Sequence, residues 1–156
     1  MPEVYSGIDY SKYLAPQILA AAWKRTKGNP KKQADVILAA VRCVLESRRF
    51  YKYRSGLTAQ TLMQVRRAAL LLRAGMQRAA LEKAEREYKR RELTLTTLDT
   101  GPRYAAVMLL RMFFAEESIL PATLEAALHC CLWQLPAEKQ DRLAEKMLRV
   151  VRRLSA

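Results

Sequence analysis

The residues with the most evident chemical use stand in one run, Arg48-Arg49-Phe50-Tyr51-Lys52-Tyr53-Arg54. Guanidinium groups hold phosphates through paired N–H donors, and a lysine adds a point charge. Aromatic rings set between such cations can stack on unpaired bases, a contact worth roughly 1–3 kcal/mol per base. On a helix Arg48 and Lys52 lie one turn apart, as do Arg49 and Tyr53. Phe50 and Tyr51 have an equally good use, which is to pack a helix end into a core. Further cations flank the run, with Arg42 before it and Arg66, Arg67, Arg73 and Arg78 after it. Arg66 and Arg73 are two turns apart and share a helix face. A second series, Arg142, Lys146, Arg149 and Arg153, is spaced by 4, 3 and 4 and makes a basic stripe. That stripe suits a second phosphate contact or the rim of a partner interface.

Charge distribution gives these residues a context. The chain has 28 Lys and Arg against 15 Asp and Glu, a formal net charge of +13. Charge of this size concerns partners rather than fold. Residues 42–78 hold nine of the cations and one acid, Glu46, whereas residues 93–136 hold two cations and four acids. A protein made basic for solubility alone would spread its charge. Nine cations with so few internal partners repel one another, and a polyanion relieves that repulsion while its condensed counterions are released.

Other chemistries find little support. Structural zinc needs ligands at spacings such as C-x₂₋₄-C or H-x₃₋₅-H. His129, Cys130 and Cys131 are consecutive, so on a helix they point in three directions, and Cys43 stands far off in sequence. There is no Gly-rich phosphate loop, G-x-S-x-G or H-E-x-x-H. With one histidine, general acid–base work is hard to place. No catalytic residue, metal or cofactor is expected. Three cysteines, two of them adjacent, do not make a disulfide framework, and reduced thiols in a cytoplasmic setting are the simpler expectation. The N-terminus lacks the basic and apolar regions of a signal peptide. The most apolar stretch, 104–115, is interrupted by Arg111 and is too short for the roughly 20 residues of a membrane span. No membrane partner is expected.

The elements that must position the cations read as helices. Composition is 51% hydrophobic with 5 Gly and 6 Pro, few for a protein built on β-turns, and strong helix formers dominate. The expected fold is an all-α, single-domain bundle of five to seven helices over 1–156, with an irregular lead-in at 1–13 and a connector at 93–103. A first helix starts near Pro16 and stops near Gly28. Asn29 and Pro30 read as N-cap and first residue of a second helix, which runs into the Arg48–Arg54 segment and ends at Ser55-Gly56. A helix-turn-helix around Gly28 fits only superficially, since its second helix turns apolar after Lys31-Lys32.

Thr58 reads as the cap of a third helix, with an apolar seam at Leu62, Val65, Ala69, Leu72 and Met76. Gly75 leaves open whether 58–92 is one helix or two. Residues 67–88 resemble one tetratricopeptide hairpin, but such folds need about three repeats and no second copy is present. The later part carries Glu82–Arg86, Glu85–Lys89 and Glu87–Arg91 pairs and so little apolar surface that it can project into solvent. Three further helices are expected over 104–117, 122–133 and 137–154, the last with a stripe of Leu143, Met147, Val150, Val151 and Leu154.

These readings point to non-catalytic binding of nucleic acid, DNA or RNA, through phosphates and with weak sequence selectivity, beside other protein subunits. In size, charge and helix content the chain resembles the small helical subunits of CRISPR effector complexes. That resemblance implies an accessory role along a guide duplex or displaced strand. The alternative is an adaptor or chaperone whose basic face docks an acidic partner and whose 93–136 segment supplies an apolar surface.

Overall fold

The computed structural model of the chain describes residues 14–52, 56–92 and 101–155. Among these are seven α-helices and no strand: α1 (Leu14–Thr26), α2 (Pro30–Arg48), α3 (Gly56–Arg73), α4 (Gln77–Glu92), α5 (Pro102–Leu110), α6 (Leu120–Trp133) and α7 (Ala137–Arg152). Short 3₁₀ turns cover Arg111–Phe113, Glu117–Ile119 and Arg153–Ser155. The fold is the expected all-α bundle. Residues 1–13, Tyr53, Arg54 and most of the 93–103 connector lie outside the described residues.

α2 is the central helix, packed by α1, α3, α5, α6 and α7. Its sequence explains this placement, because small and branched residues cover more than half its girth: Ala34, Val36, Ile37, Ala40, Val41, Cys43, Val44 and Ser47 are all buried. Its start follows the expected chemistry. Asn29 is extended, and its Oδ1 accepts from the Lys32 amide at 3.2 Å, with Pro30 in the first turn. α7 runs antiparallel to α2. Cys43 Sγ donates to the Met147 carbonyl at 3.9 Å, while Lys146 stands over Phe50 at the far end of α2 and Arg153 lines one cleft with Lys32 at the near end.

The 58–92 segment is two helices. Gly75 adopts φ +86°, its amide donates to the Leu72 carbonyl at 3.0 Å, and the Met76 amide donates to the Leu71 carbonyl at 2.9 Å. Those two bonds form a Schellman cap, which ends α3 and turns the chain back. The helix starts at Gly56, so Thr58 is a buried residue of its first turn and not its cap. α4 does not project into solvent. It packs on α3, α5 and the Arg111–Phe113 turn, burying Ala80, Ala84 and Glu87. The alanines let the helix approach closely, and Tyr88 adds an edge-to-face contact with Phe114, ring centroids 5.3 Å apart. Glu87 is held by Arg90 at 3.5 Å and by Arg91 at 3.6 Å.

One continuous core joins all seven helices. Leu62, Val65, Ala69 and Leu72 of the α3 seam are in it, as are Leu109 and Leu110 of α5 and Leu143, Met147 and Val151 of α7. Met76 is not, since it follows the cap and is 52% exposed. The long apolar helix expected after Gly101-Pro102 is shorter than its hydropathy suggested. α5 ends at Leu110, and 3₁₀ geometry carries the chain to α6.

Candidate nucleic-acid interface

Helical spacing decides which cations can act together. Arg42 and Arg49 are seven residues apart on the outer edge of α2, both exposed, with Leu45 between them 42% exposed. Arg66 and Arg73 hold the same relation on α3, with exposed Met63, Arg67 and Leu70 beside them. The ion pair between Arg73 Nη1 and Asp35 Oδ1, 3.5 Å, ties the last turn of α3 to the early part of α2. The two helices therefore run antiparallel. Seven residues on from that pair along each helix, at about 1.5 Å per residue, Arg42 and Arg66 come level within about a turn. Arg67 continues this surface around α3.

Arg42, Lys52, Arg66 and Arg67 are exposed, and none is in an ion pair among the described residues. Arg49 keeps a loose contact with Glu46 at 3.7 Å, and Arg73 is engaged with Asp35. Exposed pairs of this kind contribute about 0.2–1 kcal/mol, so an external anion can compete for either guanidinium.

Within the described part of the run, residues 48–52, the side chains do not share one surface. Arg48 is turned roughly 100° from Arg49 around the helix axis, and its Nε is buried without a hydrogen-bond partner. Tyr51 is not a stacking platform. Its hydroxyl donates to the Cys131 carbonyl at 2.6 Å, and its ring lies against Gly101, where an added Cβ would come within 3.1 Å. Burial raises the Tyr51 phenol above its usual range. Phe50 is half-buried, with the Lys146 ammonium 5.7 Å from its ring centroid. Arg78 lies beyond the Gly75 turn, paired with Glu82 at 3.2 Å.

The α7 stripe is largely engaged by its own helix. Arg142 pairs with Glu138 at 3.5 Å and Arg149 with Glu145 at 3.6 Å, while Lys146 stands over Phe50. α7 packs on α1, α2 and α6, and α3 packs on α2, α4 and α5, so the two basic runs flank α2 and do not merge. Arg153 separates from the stripe. It lines a cleft of about 700 Å³ with Arg25 at the end of α1 and Lys32 at the start of α2. Sequence reasoning missed Arg25 and Lys32, since only folding brings them to Arg153.

α2, the helix a groove reader would use, is instead the centre of the bundle. The sulfur residues are also structural. Cys43 and Cys131 are buried and Cys130 is half-buried, all with free thiols, and burial pushes Cys131 up to about 12. No cluster of three or more His, Cys, Asp or Glu able to hold a metal occurs among the described residues. No helix among them is long and apolar enough to cross a membrane. The chain matches no known family profile, no curated protein and no solved structure.

Proposed function

We propose that this chain is a non-catalytic nucleic-acid-binding protein that grips the phosphate backbone of DNA or RNA through its α2–α3 face. The observation that carries this reading is the level pair Arg42 and Arg66, joined by Arg67, exposed and without ion pairs on adjoining antiparallel helices. Phosphate contacts position a strand, and base contacts specify a sequence. Among the described residues the α2–α3 face offers guanidiniums and aliphatic side chains but no ring, which supports weak selectivity. A helical accessory subunit of a larger nucleoprotein complex would use such a face to hold a strand that other subunits select. Three free thiols suit a reducing, cytoplasmic setting.

The test is oligonucleotide retention across a salt series. Affinity should fall linearly in log K against log salt, with a slope of about −0.9 per phosphate neutralised on duplex DNA. Together, Arg42→Glu, Arg66→Glu and Arg67→Glu should abolish retention with helical circular dichroism intact. Arg142→Glu with Arg149→Glu should leave most of it. A triple variant that binds like the parent overturns the reading.

A second reading, an adaptor docking an acidic protein, has one observation in its favour. Trp133, at the end of α6, is 78% exposed, and tryptophan is enriched where proteins bind one another. Docking built on that ring would be far less sensitive to salt than phosphate binding.

A further inference from the structure

The cleft at the junction of α1, α2 and the final 3₁₀ turn brings three cations together with no acid of their own. Arg25, Lys32 and Arg153 line it, all exposed, and none is in an ion pair among the described residues. The one carboxylate in its wall, Asp35, is held at 3.5 Å by Arg73 from α3. Val36 and Leu154 give it an apolar side. Neither the Thr26 hydroxyl, which donates to the Trp23 carbonyl at 2.7 Å, nor the Lys32 amide, taken by Asn29, is left as a donor. An anion in the cleft would therefore be met by the three charged side chains. A volume of about 700 Å³ suits a small polar group with an attached ring.

Like charges so grouped favour an anion carrying more than one charge. A phosphodiester in a strand carries one. A terminal phosphomonoester, with a second pKa of about 6, carries nearly two at neutral pH. We infer that this cleft is a phosphomonoester site, taking the terminal phosphate of a strand or that of a free nucleotide. The strand-end form rests on the backbone-binding function proposed above. In that form the Asp35–Arg73 pair has a geometric meaning, because it puts the cleft beside the α2–α3 face. A strand seated by its end runs along α2 from Lys32 toward Arg42.

The test uses the whole chain and oligonucleotides of one sequence bearing a 5′-phosphate, a 3′-phosphate or neither, with a nucleoside 5′-monophosphate as the free probe. One phosphorylated strand should bind about tenfold tighter than the hydroxyl form, the scale of two or three exposed charge pairs. Lys32→Gln with Arg153→Gln should erase that preference and keep the residual strand binding. Arg42→Glu with Arg66→Glu and Arg67→Glu should abolish binding of the hydroxyl strand and weaken that of both phosphorylated ones. If no strand binds, yet the monophosphate raises the melting temperature of the parent and not of the double variant, the cleft stands and backbone binding falls. A melting shift without strand preference assigns the cleft to free nucleotide. Equal affinity for all strands with no melting shift overturns the site.

Discussion

At the scale of the residue, Tyr51 shows how one side chain can suit two roles on sequence and one in the fold. Cations on both sides make it read as a base-stacking ring, but its hydroxyl holds the Cys131 carbonyl and its ring closes over Gly101. Tyr51→Phe should destabilise the protein by about 1–2 kcal/mol, because it leaves a half-buried carbonyl without its donor. Oligonucleotide affinity of the folded variant should be unchanged. Chemical denaturation with a binding titration checks both, and a loss of affinity at full folding would return Tyr51 to the interface. The sequence could not decide this, since the partner carbonyl lies 80 residues away. The cations were more legible. Arg42, Arg66 and Arg67 are exposed, while Arg48 has its Nε buried, a placement that helical spacing alone does not give.

At the scale of the element, local chemistry was readable wherever a backbone position demanded a particular residue. Asn29 and Pro30 marked the start of α2 because the cap needs a side-chain acceptor and the first turn tolerates a missing N–H. Gly75 stayed ambiguous because a glycine within a helix and a glycine after one look alike in sequence. The Schellman bonds to Leu71 and Leu72 settle it. Gly75→Ala should cost about 1–2 kcal/mol, since a side chain at φ +86° pays the left-handed penalty even though nothing crowds the added Cβ. Thermal melting checks this, and an unchanged midpoint would mean that the turn relaxes. α4 was misjudged for a different reason. Apolar periodicity undercounts a helix that docks through alanines, and here Ala80 and Ala84 are buried beside the Glu87–Arg91 pair and the Tyr88–Phe114 ring contact.

At the scale of the whole molecule, the charge that suggests a partner also strains the fold, and the two effects respond to salt with opposite sign. A net charge of +13 on 156 residues destabilises the compact state by self-repulsion. The eight ion pairs between described side chains offset little of this, because most are exposed neighbours on one helix. Screening at a Debye length of about 8 Å, near physiological ionic strength, weakens the repulsion more than it weakens those pairs. The melting temperature of the protein alone should therefore rise between low and physiological salt. Over the same range oligonucleotide affinity should fall, since released counterions return to a more crowded solution. Scanning calorimetry and binding isotherms in matched buffers read both slopes. A melting temperature that falls with added salt would mean the cations are compensated within the fold, and the α2–α3 face would then hold no surplus charge for a phosphate backbone.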